Sequence, residues 1–283
     1  MVRELADRVY LETGFEGGNV GAILTERGAL LVDAPMLPPE ARAWRATVAS
    51  LDGGVIYGVV NTDYHPEHFI GNAALMPTRV WGHEAGARQI AKYETSTLDQ
   101  VAATFRKERP ALAEEIANLQ IYPPELTVGE RMALHLGDRE VHVLYLPGHT
   151  PASVGVYLPE ERILFAGDNI VNNEHPTMVQ ADTLAWIDTL RRIQEMDVDL
   201  LVPGVGEPCG KEVIEPLIAY ITEMHRRVAE LFEAGASRRE SVDKVGMLDY
   251  YPVPENQAAR IKRRRRENVE RVYTEIRTAQ RRR

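Results

Sequence analysis

The sequence has a single cysteine, Cys209, among its 283 residues. One cysteine cannot form a disulfide within the chain, and it excludes a zinc site built from several thiolates. Ligands for a metal ion must therefore come from histidine, aspartate and glutamate. No apolar run approaches the roughly 18 to 20 residues that a membrane-spanning helix needs, and the amino terminus lacks a basic region followed by an apolar stretch. We therefore expect a cytoplasmic protein that does not enter the membrane.

The composition is typical of a soluble globular protein that buries a sizeable core, with 44% hydrophobic and 27% charged residues. The net charge of -9 is unevenly distributed, because the segment from Arg260 onward holds 11 Lys and Arg against 3 Glu. A basic run such as 262–266 can contact nucleic-acid phosphates. Interspersed glutamates and an apolar side instead favour a helix that faces solvent or another subunit. Nucleic acid is therefore not an expected partner, and the carboxy-terminal helices are a candidate surface for a homo-oligomer.

Apolar and β-type runs predict strands in two blocks, and helical periodicity predicts the segments between and after them. The predicted strands are 8–12, 18–24, 29–33 and 55–61 in the first block, and 131–136, 140–146, 154–158, 162–166 and 200–202 in the second. The predicted helices are 38–51, 183–196, a helical insertion at 91–120 that Pro110 divides, and the whole of 211–283. This order of elements predicts an α/β protein.

Three loops that end predicted strands carry side chains able to bind a metal ion. They are Asp63, His65, Glu67 and His68 in the first loop, His149 in the second and Asp168 in the third. Imidazole nitrogen and carboxylate oxygen suit zinc, iron and manganese alike. Alternate residues at an extended strand end point the same way. Asp63 and His65 can therefore face one ion while Glu67 and His68 face a second.

These motifs resemble the metallo-β-lactamase superfamily over about residues 19–210. Its signature is His-x-His-x-Asp-His after a buried strand, followed by Gly-His-Thr, Gly-Asp and Pro-Gly-His-Gly. The chain has four matching blocks in the same order, at 61–68, 147–150, 166–168 and 202–206. The resemblance implies a four-layer αβ/βα metallo-β-lactamase sandwich with a helical insertion. It places this domain at 1–210 and a helical carboxy-terminal extension, packed on the same domain, at 211–283.

Three positions depart from the signature: Asp63 replaces the first histidine, Glu67 the aspartate and Val205 the last histidine. By the resemblance, one ion is held by Asp63, His65 and His149, and a second by Glu67 and His68, with Asp168 shared between them. Valine cannot coordinate, so the second site is expected to be weaker. The resemblance thus implies one or two divalent ions, with zinc, iron and manganese as candidates.

The resemblance implies a hydrolase that attacks a small ester, lactone, thioester or similar substrate with metal-activated water. Glu67 or Asp168 would orient that water or take its proton. A mononuclear iron oxygenase is the alternative enzyme, because two histidines and one carboxylate suit non-haem iron. A non-catalytic protein that binds a ligand or a partner is a third hypothesis. His83 and His175 lie near the expected mouth as candidate ligands or substrate contacts, although an ordinary structural role is favoured for both.

Overall fold

Two β-sheets pack face to face and form the centre of the molecule. The structure is a computed structural model that describes residues 2–93 and 95–281. The first sheet contains, in spatial order, β1 Val2–Ala6, β2 Val9–Glu12, β3 Val20–Thr25, β4 Gly28–Val32, β5 Ile56–Val60, β6 Arg79–His83 and β7 Leu126–Val128. The second sheet has the order β12-β11-β10-β9-β8, formed by β8 Arg131–His135, β9 Glu140–Tyr145, β10 Val154–Leu158, β11 Ile163–Gly167 and β12 Leu200–Pro203.

Helices cover the outer faces of both sheets. They are α1 Pro38–Ser50, α2 Pro66–Phe69, α3 Asn72–Leu75, α4 Glu84–Ile90, α5 Thr95–Phe105, α6 Pro110–Ala117, α7 Thr183–Glu195, α8 Ile214–Glu233, α9 Arg238–Lys244 and α10 Ala258–Arg281. Two short 3-10 turns precede α8 and α10, at Lys211–Val213 and Glu255–Gln257. None of the helices in the described ranges is long and apolar enough to cross a membrane.

Three apolar clusters separate the layers. Leu11, Val143 and Phe165 belong to the cluster between the sheets, where alternate residues of each strand face inward. Trp44 of α1 packs on the outer face of the first sheet. Trp186 of α7 lies in the cluster on the outer face of the second sheet, which also includes residues of α8 and α10. The result is the predicted four-layer αβ/βα sandwich, with helices after residue 210.

The site lies at one edge of the sandwich, where strands from both sheets end. Strands β4 to β7 are parallel to one another, so their carboxyl ends lie side by side. Strands β11 and β12 are also parallel and end at the same edge. Two backbone hydrogen bonds join the sheets there, from the Val154 amide to the Thr62 carbonyl at 2.8 Å and from the Asn19 amide to the Gly204 carbonyl at 2.7 Å. Loops that follow parallel strands commonly carry the functional groups of such folds.

The sequence-based prediction missed three strands: β1, β6 and β7. β1 is a partly exposed edge strand, β6 contains a glycine and follows a proline-containing loop, and β7 has only three residues, so none carries a clear period-two signal. Within 91–120 there are two helices, and α6 begins at Pro110 as predicted. Residues 245–254 contain no helix, so the prediction of an entirely helical extension was wrong there.

The carboxy-terminal helix α10 packs against α8 and α9. Its basic residues have individual partners: Arg265 donates to the carbonyls of Val242 and Val245 near the end of α9, and Arg266 pairs with Glu270. The boundary at residue 210 remains a prediction. Residues 282 and 283 of the predicted extension lie outside the described residues, as do residue 1 of the predicted domain and residue 94 of the predicted insertion.

Candidate metal centre

The chain changes direction in the loop between β5 and α2. Side chains before and after this turn therefore point in different directions. Asp63 is buried, and its carboxylate accepts the backbone N–H of His65 at 2.6 Å. The chain then enters α2 with Pro66 at the first helical position, where proline is favoured because its φ is already helical. The turn of helix places His68 beneath the loop, buried, and leaves Glu67 partly exposed.

Four predicted ligands converge at the first position. Asp63, His65, His149 and Asp168 each offer one ligand atom, and the four atoms lie within 4.8 Å of one another. His65 Nδ1 is 3.2 Å from Asp63 Oδ2 and 3.3 Å from His149 Nε2. His149 Nε2 is 3.4 Å from Asp168 Oδ2 and 3.7 Å from Asp63 Oδ2. Ligands about 2.05 Å from a tetrahedral ion are separated by about 3.3 Å, so these residues fit a small divalent cation.

The remaining predicted ligands form a looser group of three. Glu67, His68 and Asp168 offer ligand atoms within 4.8 Å of one another. His68 Nε2 is buried, has no hydrogen-bond partner among the described residues, and lies 3.6 Å from Asp168 Oδ2. The same oxygen is the one close to His149 Nε2, so Asp168 stands between the two groups. The structure thus brings the predicted ligands together in two groups that share Asp168, and metal binding by either group stays a prediction.

Asp33 positions His68, and sequence reasoning did not single it out. The Asp33 carboxylate is buried and accepts three hydrogen bonds: from His68 Nδ1 at 2.9 Å, and from the Thr62 amide and hydroxyl at 2.7 Å each. A carboxylate only accepts, so His68 carries its proton on Nδ1 and leaves Nε2 free for a metal. The signal available in the sequence was an acidic residue directly after the apolar strand β4.

Asn169 and Trp186 fix the loop that carries His149. The Asn169 side chain accepts the His149 backbone N–H at 2.9 Å and donates to the Leu146 carbonyl at 2.6 Å. The Trp186 indole N–H donates to the Asn169 carbonyl at 2.9 Å, and its ring meets the His149 imidazole edge-on at 5.6 Å. Gly204 also contributes, because a side chain at that position would overlap the Asp168 carboxylate.

The site concentrates negative charge, and the pKa values of its side chains reflect this. Burial would lower the pKa of His65, but the Asp63 carboxylate outweighs it and raises the pKa to about 9. Burial also opposes protonation of His68, yet Asp63 and Asp33 hold its pKa well above the ordinary value. Burial would raise the pKa of Asp63, but His68, His65 and His149 hold it below the ordinary value. A bound cation would replace the protons that these carboxylates attract.

A cavity of about 400 Å³ opens over the site. Glu67, His149 and Asp168 lie in its wall, as does Val205, which is 53% exposed. His175 also lines the cavity, but it packs edge-on against Tyr220 and Tyr251 and donates from Nε2 to the Tyr251 carbonyl at 3.2 Å.

His83 caps helix α4 by accepting the Ala85 N–H, and its ring stacks on Tyr145 with centroids 4.2 Å apart. Neither His83 nor His175 joins a metal-competent group among residues 2–93 and 95–281. The structure thus gives both histidines packing partners outside the two ligand groups.

Comparison with known proteins identifies the family of the chain. The chain matches the family model of the metallo-beta-lactamase superfamily over residues 13–205. A linear primary-alkylsulfatase from Pseudomonas sp. (strain ATCC 19151) is 21% identical over 256 residues, which cover 77% of this chain and 48% of the sulfatase. Acyl-coenzyme A thioesterase MBLAC2 from Bos taurus is 25% identical over 142 residues, 47% of this chain and 51% of the thioesterase.

The chain spans about half the length of these two curated relatives, both of which are hydrolases. Among solved structures, the metallo-beta-lactamase family protein TTHA1429 from Thermus thermophilus has a TM-score of 0.70 at 18% identity, and the match covers 98% of this chain and 95% of that one. At this identity the likeness shows the fold alone. Because the family model covers most of the chain and both signature histidine loops, the chain belongs to the metallo-β-lactamase superfamily.

Proposed function

We propose that this protein is a metal-dependent hydrolase of a small ester, lactone, thioester or related substrate. The observation that carries the proposal is the convergence of Asp63, His65, His149 and Asp168 beside an open cavity. The hydrolase class of the relatives agrees with it. The residues at positions 63 and 67 keep the ability to bind metal, because aspartate and glutamate are both competent ligands.

The proposed ligands are Asp63, His65 and His149 for the first ion and Glu67 and His68 for the second, with Asp168 shared. A divalent ion bound there would lower the pKa of its water towards about 7 and would polarise the scissile carbonyl. Asp168 lies in the cavity wall, 3.6 Å from His68 and 3.4 Å from His149, and would orient that water toward the substrate. Glu67 also reaches the cavity wall, where its carboxylate would take the proton and pass it to the leaving group.

The donor set also bears on which metal is bound. Three carboxylates and three imidazoles are rich in hard oxygen ligands, which suits iron and manganese at least as well as zinc. Val205 offers no ligand to the second group. We therefore propose one well-formed site at Asp63, His65 and His149, and a weaker second site.

A mononuclear iron oxygenase is the second candidate. It is favoured by one observation, the close approach of one carboxylate and two imidazoles at Asp63, His65 and His149. Such a facial set leaves positions open for oxygen and substrate on iron. Its predicted reaction consumes oxygen, which hydrolysis does not.

Elemental analysis of protein purified without added metal, followed by turnover assays, tests both candidates. We expect at least one equivalent of zinc, iron or manganese, and hydrolysis within a panel of esters, lactones and thioesters. His149→Ala should lose metal and turnover, whereas His135→Ala, an exposed histidine of β8, should keep both. Absence of turnover across the panel by metal-replete protein would refute the hydrolase. Oxygen uptake with thiol substrates by an iron-loaded protein would establish the oxygenase instead.

A further inference from the structure

Two arginines from the carboxy-terminal helix lie in the wall of the cavity that holds the metal ligands. Arg260 and Arg264 are one helical turn apart on α10, so their side chains share one face. Both line the same cavity as His149 and Asp168. The helix that follows the family-matched region therefore contributes two positive charges to the candidate site.

These two arginines differ from their neighbours in the basic run. Arg263 pairs with Glu267, and Arg266 pairs with Glu270, along the exposed side of the helix. Arg265 donates to two backbone carbonyls at the end of α9. By contrast, in the part of the chain that the structure describes, neither cavity arginine forms an ion pair with a carboxylate. Arg260 donates to the side chain of Gln257 at 3.0 Å.

Arg264 is held in place by backbone. It donates to the carbonyl of His175, whose ring is fixed between Tyr220 and Tyr251. Its guanidinium is partly buried. Fixing a guanidinium at a cavity wall reduces the conformational freedom lost when a ligand binds.

The positive charges of Arg260 and Arg264 repel each other. Burial lowers the pKa of Arg264, and the charge of Arg260 lowers it further, while Glu174 and Asp168 oppose the shift. An anion that contacts both guanidinium groups stabilises these two like charges at a partly desolvated surface. Planar guanidinium groups match the oxygens of a carboxylate, sulfate or phosphate.

We propose that Arg260 and Arg264 bind an oxyanion group of the substrate, so that the substrate is an anionic ester or thioester. This inference rests on the proposed function for its reacting bond, but the anion site itself rests on the arginine pair. The cavity then has two ends, with the scissile bond at His149 and Asp168 and the anionic group at the arginines. A neutral ester of the same length would lack the second contact.

Equilibrium binding of an unreactive anion tests the site without turnover. Hexanesulfonate is titrated calorimetrically into protein carrying the metal with which it was purified. Arg264→Gln should raise the Kd about tenfold, in keeping with the loss of a charge-assisted hydrogen bond. Arg260→Gln removes an exposed guanidinium that donates to Gln257, so it should raise the Kd several-fold, and it keeps the test valid if Arg264→Gln fails to fold. The matched control is Arg263→Gln, on the same helix but outside the cavity, which should leave the Kd unchanged.

Turnover provides the second measurement. Methyl hexanoate is compared with monomethyl adipate, which carries a carboxylate, and with a phosphate-bearing ester of the same length. The proposal requires a lower KM for at least one anionic ester, and a loss of that advantage in Arg260→Gln. Arginine-dependent sulfonate binding without any turnover would refute the hydrolase and leave the anion site standing. Sulfonate binding that is absent, or equal in wild type, Arg260→Gln and Arg264→Gln, would overturn the anion site even if esters are hydrolysed.

Discussion

Replacing Asp33 by asparagine tests whether a residue that touches no substrate controls metal binding through His68. Asparagine has nearly the same shape and tolerates the left-handed backbone at this position, where φ is 57°. The substitution therefore removes charge and one acceptor without forcing the backbone to change. It introduces an amide NH₂ group that must face either Thr62 or His68, both of which are donors.

The expected magnitude follows from these contacts. Hydrogen bonds to a charged group contribute about 1.5–3 kcal/mol, and a buried donor left without a partner costs about 1–3 kcal/mol. Asp33 is 3% exposed, so solvent screening is small. We expect the free energy of unfolding to fall by about 2–4 kcal/mol. Loss of a carboxylate that orients a metal-binding histidine should weaken the affinity for the ion at His68 by about ten- to a hundredfold.

Metal affinity is measured by competition with a chelator, and stability by urea unfolding of the same preparations. Asp182→Asn is the control, because the Asp182 carboxylate caps helix α7 through the Ala185 N–H and, within the described ranges, forms no hydrogen bond with a proposed metal ligand. It should lower stability slightly and leave metal affinity unchanged. Wild-type metal affinity in Asp33→Asn would show that Asp33 does not determine the protonated nitrogen of His68, and the positioning argument would fail.

Three further substitutions or treatments have separate outcomes. Asn169→Ala removes the bonds to the His149 amide and the Leu146 carbonyl, and urea unfolding should show a loss of about 2–3 kcal/mol; an unchanged midpoint would contradict this. Burial raises the pKa of the Cys209 thiol to about 11. The rate of its alkylation by iodoacetamide should therefore be low at pH 8 and rise about tenfold per pH unit towards pH 10. Fast alkylation of the folded protein at pH 8 would contradict this. Val205→His should raise the bound metal towards two equivalents, measured by elemental analysis, and an unchanged ratio would show that position 205 is too far from Glu67 and His68.

The position of the site could be predicted from the sequence because its residues follow strands. Asp63 and His65 come shortly after β5, and Asp168 directly after β11, and the packing of the two sheets brings these loops to one edge. The order of strands and helices predicted an α/β protein, and the resemblance to the metallo-β-lactamase superfamily implied its four layers. Strand ends were misplaced by only one or two residues at most positions, since the apolar cores of β5 and β11 are unambiguous.

Other parts of the site depend on contacts between segments far apart in the chain. Asp33 lies 35 residues before His68, and nothing in its local pattern shows that the two side chains meet. Arg260 and Arg264 reach the cavity only because α10 packs against α8 and α9. Within the sequence they look identical to Arg263 and Arg266, which face away from the site. Periodicity identifies the apolar side of α10, but it does not say which element meets its basic side.

The charge of the ligand set explains why the arginine pair matters for an anionic substrate. Asp63, Glu67 and Asp168 bring three negative charges when ionised, and neutral imidazoles add none. With one divalent ion the centre would retain one negative charge and repel an anion, and with two it would carry one positive charge. We proposed a weak second position because Val205 offers no ligand, and on that proposal a second ion is not a dependable source of attraction. Arg260 and Arg264 add two positive charges on the cavity wall, where screening by salt is weaker than at an open surface. Anion affinity should therefore depend on these arginines most strongly when a single equivalent of metal is bound.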